Sequence, residues 1–129
     1  MIHVLDTHAL TRFVEDYRKL GAAGRAVCED ADALLIVPTI VLAEARFMIT
    51  KNKLNLVWDD IVRAVEADSR LLPCPLTVEV LHLLPNNLEM HDAIICATAI
   101  LLREALGEDV RVITRDRQII ASGLVETVW

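Results

Sequence analysis

Ala33-Leu34-Leu35-Ile36-Val37 is apolar without a break, and Pro38 closes the run. A strand with one wet face alternates apolar and polar side chains. An unbroken run of strand length instead suits a strand covered on both faces, as in the parallel sheets of α/β proteins. Ile2-His3-Val4-Leu5 and Val110-Arg111-Val112-Ile113-Thr114 are further strand-like runs, and Val125 to Trp129 reads as a last strand. Leu71-Leu72-Pro73-Cys74 is expected at a sheet edge, because its proline has no N–H to give to a ladder. Helix patterns fill the gaps: Ala9 to Tyr17 ending near Gly21, Gly24 to Asp30, and Ile40 to Lys51 with Thr39 as its N-cap. They continue with Trp58 to Asp68, Thr77 to Leu84, and Asp92 to Leu106 ended by Gly107. Strands alternating with helices predict a right-handed α/β sandwich around a mainly parallel sheet. With 129 residues and no linker, repeat or low-complexity tract, one domain spanning residues 1–129 is expected.

Four carboxylates stand where this pattern calls for apolar or neutral residues. Asp6 ends the first run, Asp92 opens Ala93-Ile94-Ile95-Cys96-Ala97, and Asp116 follows the run that begins at Val110. Glu44 has Ile40, Val41, Phe47 and Met48 at the helical neighbour positions, so no Lys or Arg one turn away balances it. Ionised groups beside a core are costly unless compensated, and the compensating charge is expected to come from a divalent cation. Functional crevices of open α/β sheets lie beyond the carboxyl ends of the strands, where Asp6 and Asp116 fall. Asp92 at a helix start faces the positive end of the dipole, and Glu44 projects from the core-facing side of its helix. Convergence of the four on one pocket follows. Oxygen donors alone suit Mg²⁺ or Mn²⁺ better than zinc.

Composition narrows the partners. The hydrophobic content of 54% and mean hydropathy of +0.42 are high while aromatics are only 4%, which implies an aliphatic core and an apolar surface left for a partner. Ala33 to Ala43 is too short to span a bilayer, and no basic segment precedes the first strand, so a cytoplasmic protein without membrane contact is expected. Three widely spaced cysteines, Cys28, Cys74 and Cys96, read as reduced structural thiols. The net charge of −6 argues against nucleic acid on its face. Setting the four clustered acids aside leaves 15 acidic against 13 basic residues, close to neutral.

The strings Leu5-Asp6-Thr7-His8-Ala9-Leu10, Leu42-Ala43-Glu44-Ala45, His91-Asp92-Ala93-Ile94-Ile95-Cys96-Ala97-Thr98-Ala99 and Val112-Ile113-Thr114-Arg115-Asp116 follow one another at domain-scale spacing. Together with the Ser122-Gly123-Leu124-Val125 tail they resemble the PIN-domain ribonuclease family, and most of all the VapC-like toxins of bacterial type II toxin–antitoxin modules. The resemblance implies a PIN-like three-layer α/β/α sandwich and a Mg²⁺- or Mn²⁺-dependent endoribonuclease. It also implies a homodimer silenced by a cognate antitoxin protein. The family's acidic positions correspond to Asp6, Glu44, Asp92 and Asp116. Where many toxin members carry an Asp-Pro pair before the third acid and a basic residue after it, this chain has Glu89-Met90-His91 and Ala93.

Phosphodiester hydrolysis needs a hydroxide near neutral pH and positive charge on the phosphoryl oxygens, both of which a bound divalent ion supplies. Asp6 is the first choice as ligand, with Asp92 and Asp116 completing the shell and Glu44 taking the proton of the attacking water. Thr7 and Thr114 are secondary candidates that orient carboxylates or water, and Arg115, Arg117, Arg12 and Arg46 are candidates for RNA phosphates. His8 and His91 flank acids without metal-ligand spacing and are read as packing residues, as are Trp58 and Trp129. Glu89 is read as a solvated first-turn acid. Two other functions stay open. A phosphotransfer protein with Asp6 as nucleophile would want a second acid close behind it and a late lysine; position 8 is His, and no Lys follows Lys53. A non-catalytic interaction module would have no use for all four acids.

Overall fold

The computed structural model describes all 129 residues, Met1–Trp129. Five parallel strands, β1 (Ile2–Leu5), β2 (Leu34–Pro38), β3 (Leu71–Cys74), β4 (Val110–Ile113) and β5 (Glu126–Val128), form one sheet in the order β3-β2-β1-β4-β5. Every strand pair is parallel, so the expected sheet type holds throughout. β1 lies at the centre, Val4 facing Ile36 on one side and Val112 on the other, and its four residues are all buried. Proline-bearing β3 lies at an edge as expected, with Pro73 opposite Val37.

Seven helices connect the strands: α1 (Thr7–Asp16), α2 (Ala22–Glu29), α3 (Thr39–Thr50), α4 (Trp58–Ala67), α5 (Val78–His82), α6 (Met90–Leu106) and α7 (Arg117–Ser122), with a 3-10 turn at Tyr17–Lys19. The chain steps outward from β1 to β2 to β3, then crosses back to β4 and steps outward to β5. Right-handed crossovers place the first two connections on one face and the last two on the other, which gives the three layers. The direction reverses between β1 and β4. Crevices at such reversal points are where open α/β sheets bind their ligands.

The core is aliphatic. Val4, Leu5, Leu10, Leu35, Val37, Ile61, Val112, Ile113 and Ile119 are fully enclosed. The run Ala93–Ala99 is buried whole, so α6 is sunk into the domain for two turns before it emerges. Gly107, at φ 65°, ends that helix in the left-handed conformation that glycine adopts without strain.

Local details depart from expectation. Thr39 is the first residue of α3 and not its cap; its hydroxyl accepts from Leu76 N at 3.1 Å and ties the helix to the segment after β3. Asp92 does not open its helix: α6 begins at Met90, which places Asp92 inside the first turn. The six-residue α7 had no signal in the sequence beyond Asp116 ahead of it and Gly123 behind it. All three cysteines are free thiols; burial pushes Cys28 and Cys96 up to about 11.

Candidate active site

At the reversal between β1 and β4 the chain leaves each strand through an aspartate. Asp6 N–H donates to Ile113 O at 3.2 Å, so the β1–β4 ladder runs one residue past β1 and fixes the Asp6 backbone. Its side chain turns back to cap α1, Oδ1 accepting from Ala9 N at 2.7 Å. Asp116 repeats the arrangement at α7, where Oδ1 accepts from Gln118 N at 2.9 Å and Ile119 N at 3.1 Å. Thr114 steadies that turn by accepting from Asp116 N at 3.0 Å, and its own N–H holds Val128 O at 2.9 Å. In each aspartate one oxygen is committed to a helix N-terminus, while the other accepts no backbone hydrogen bond. Capping and a place in the site are therefore not alternatives here. The caps aim the carboxylates.

One cavity of about 510 Å³ opens above this point, walled by Asp6, Thr7, His8, Glu44, Glu89, Asp92, Ile95, Arg115, Asp116, Arg117 and Gln118. All four acids singled out in the sequence reach it, and so do Thr7 and Arg115. Thr114 does not; it is buried behind the wall. Glu44 comes in from α3 and meets His91 Nδ1 at 3.3 Å from its Oε2. His8 is on the cavity wall and His91 is half exposed against Glu44, so neither is the buried packing residue expected. The histidine that is buried is His3, in β1.

Glu89 is exposed to solvent, as expected, but stands at the N-cap of α6 and is also a fifth wall acid of the cavity. Its signal was its spacing: three residues before Asp92, it shares the Asp92 face of the chain entering α6.

The electrostatics are those of crowded acids. Burial raises the Asp6 carboxyl, partly offset by hydrogen bonding from Thr114 and Ala9, with Asp116 pushing the same way as burial. Asp92 is raised to about 6, first by burial and then by Asp116, Glu89, Glu44 and Asp6. Every other acid of the wall thus acts on Asp92. Such mutual repulsion is relieved by a cation.

The donor set fits Mg²⁺ or Mn²⁺: carboxylate oxygens, with no thiolate on the wall. No three His, Cys, Asp or Glu side chains stand close enough to form a ready-made metal cage. That spacing suits a hydrated ion held through one or two carboxylates, the usual habit of Mg²⁺, and not an ion stripped of its water.

A family profile for the PIN domain matches residues 3–122. No curated protein is detectably similar in sequence. Among solved structures, a chain of the crystal structure of VapBC2 from Rickettsia felis bound to a DNA fragment from their promoter superposes with a TM-score of 0.69. The identity is 14%, and the superposition covers 99% of this chain and 98% of that one. At that identity the likeness is one of fold. The profile match spans nearly the whole chain and takes in all four acids, and the chain belongs to the PIN-domain family.

Proposed function

We propose that the chain is a metal-dependent endoribonuclease that hydrolyses RNA phosphodiester bonds, and that it serves as the toxin of a type II toxin–antitoxin module. The observation that carries the reading is the meeting of Asp6, Glu44, Asp92 and Asp116, delivered by four separate parts of the fold, on one cavity wall where burial and then the neighbouring acids raise Asp92 to about 6. Carboxylates that serve only as caps have no reason to converge.

Asp6 and Asp92 are the assigned ligands of Mg²⁺ or Mn²⁺, and Asp116 would hold water of the hydrated ion through the oxygen not used in capping α7. A divalent ion bound there supplies Lewis acidity toward the phosphoryl oxygens and makes water a competent nucleophile near neutral pH. The caps at Ala9 and at Gln118 and Ile119 hold Asp6 and Asp116 in one orientation, so no reorganisation is needed as charge develops. Glu44 is the assigned proton acceptor for the attacking water, and His91, in contact with it, relays the proton to solvent. Thr7 orients water or carboxylate from the wall, and Thr114 does so through the Asp116 turn. Arg115 and Arg117, on the same wall, bind the phosphates flanking the scissile bond. No lysine lines the cavity, which weighs against phosphotransfer through an Asp6 nucleophile.

The toxin assignment draws on the sequence motifs and on the likeness in fold to a VapBC2 chain. Exposed apolar side chains such as Phe47, Val57, Val78, Leu81 and Met90 suit buried partner surfaces, which this reading gives to a cognate antitoxin and a second copy of the chain. No helix is long and apolar enough to cross a membrane.

The test is incubation of the purified chain with transfer, ribosomal and messenger RNA, in Mg²⁺ or Mn²⁺ and in EDTA, with mapping of the cut ends. Cleavage that requires the ion and leaves 5′-phosphate and 3′-hydroxyl ends is expected. Ends carrying 2′,3′-cyclic phosphate would mean attack by the RNA's own 2′-hydroxyl and would overturn the hydrolytic mechanism.

A further inference from the structure

Trp129 follows β5 and lies against the turn that opens α2. A Cβ on Gly21 would stand 2.6 Å from the Trp129 carbonyl oxygen and 2.8 Å from its Cδ1, so only glycine admits the chain there. The neighbouring Val128 carbonyl is held by Thr114 N. The chain is thus held at Val128 and packed at Trp129, and two guanidinium groups rest on the indole. Arg115, from the β4–α7 turn, has its Cζ 5.3 Å from the ring centroid, and Arg12, from α1, lies at 5.2 Å. Arg12 is further held by donating to Lys19 O at 3.1 Å. Neither arginine forms an ion pair.

For Arg115 that is unexpected, since it lines a cavity with five acids. Left free, its guanidinium would be drawn onto those carboxylates, consuming both its own charge and theirs. Arg12 borders a second cavity, lined by His8, Thr11, Lys19 and Lys53 among others, and His8 is common to both cavities. One ring therefore carries two unpaired cations whose cavities adjoin.

We propose that Trp129 is a positioning residue that holds Arg115 and Arg12 as a paired phosphate clamp for the RNA strand and keeps Arg115 off the acids that bind the metal ion. The strand runs from the acidic cavity past His8 into the groove beside α1. Cation–π contact suits this task because it fixes a guanidinium without using up its hydrogen-bond donors, which stay available to phosphate. The clamp rests on the ribonuclease reading; the shielding of the acids does not require RNA.

Two arms test it on the full chain. In the first, a fluorescein-labelled single-stranded RNA is titrated in Mn²⁺ with protein carrying Asp6→Asn to prevent cleavage, over a range of salt. Adding Trp129→Met, which fills space without a π face, should weaken binding about tenfold. It should also flatten the slope of log K against log salt by about one, as expected for one to two phosphate contacts at roughly 0.7 each. Trp129→Phe should restore most of both. With Asp6 intact and Mn²⁺ saturating for both proteins, Trp129→Met should raise KM while leaving kcat within about twofold.

In the second arm, Mn²⁺ is titrated by calorimetry without RNA. Trp129→Met should weaken Mn²⁺ binding several-fold as Arg115 falls onto the acids, and adding Arg115→Gln should restore it. If Trp129→Met fails to fold, Trp129→Leu takes its place in both arms. Unchanged RNA affinity, salt slope and Mn²⁺ affinity in the folded variant would overturn the proposal. If the parent binds and cleaves no RNA, the ribonuclease reading falls and the clamp with it, an outcome visible before any Trp129 variant is made.

Discussion

Asp92→Asn removes a charge that the metal-free fold holds at a cost. A carboxyl raised from 3.8 to about 6 carries roughly 3 kcal/mol at 1.36 kcal/mol per pH unit. The side chain is only partly buried, and solvent screening reduces that to about 1–2 kcal/mol. Losing a carboxylate from the first turn of α6 gives back about 0.5 kcal/mol of favourable interaction with the helix dipole. The net expectation is about 1 kcal/mol of stabilisation, or a Tm higher by roughly 3–5 °C for a domain of this size, in EDTA at pH 7.5.

The sign can be checked against pH. Because the folded-state value is raised, the Asp92 contribution is fully present below the unfolded value near 3.8 and is lost as pH rises through about 6. The variant's advantage should therefore shrink on acidification from pH 7.5 to 4. The same substitution should remove most of the Tm increase that Mn²⁺ gives wild type. Scanning calorimetry of both proteins, with and without Mn²⁺, reads all three effects. A variant that melts below wild type in EDTA at pH 7.5 would refute the reasoning and make Asp92 a structural anchor.

Asp6→Asn should melt no lower than wild type in EDTA, because Asn still accepts from Ala9 N and the buried charge is gone, whereas Asp6→Ala should lose about 1 kcal/mol with the cap; denaturant melts separate the two. His3 is buried with Nδ1 unpartnered, and burial lowers its pKa in the fold, so its contribution is full above pH 6.5 and declines as pH falls below that value. His3→Leu should then show a smaller loss of Tm between pH 7 and pH 5 than wild type, and an equal loss would contradict the assignment. Gly21→Ala should cost about 1–3 kcal/mol by thermal melt through its clash with Trp129, since Gly21 has an ordinary φ of −65° and no backbone strain would enter; a neutral change would mean that Trp129 is not held there.

The sheet and the acids were legible because each depends on neighbours in sequence. An apolar run that ends in an aspartate marks a strand end: Asp6 follows β1 directly, and Asp116 follows β4 after Thr114 and Arg115. Glu44 stood out because its whole helical neighbourhood is apolar, and the structure places it half buried at the cavity. Short elements and polar contacts across the fold were not legible. α7 is too short to show a period. Thr39 looked like a cap because the partner that claims its hydroxyl, Leu76 N, lies 37 residues away. His8 and His91 looked like packing residues because nothing in their spacing reveals that the wall of the cavity stays open to solvent. The hold of Trp129 on Arg12 joins residues more than a hundred apart, beyond any local pattern.

The central claim is that these carboxylates are one metal-dependent site for RNA hydrolysis. Its most direct measurement is single-turnover cleavage of an end-labelled RNA by wild type and by Asp6→Asn, Glu44→Gln, Asp92→Asn and Asp116→Asn, in Mn²⁺ and in EDTA, with folding of each protein checked by circular dichroism. Loss of about a hundredfold or more in Asp6→Asn and Asp92→Asn, with wild type silent in EDTA, is the predicted result. RNA cleavage that persists in EDTA, or that survives both substitutions in folded protein, would contradict it.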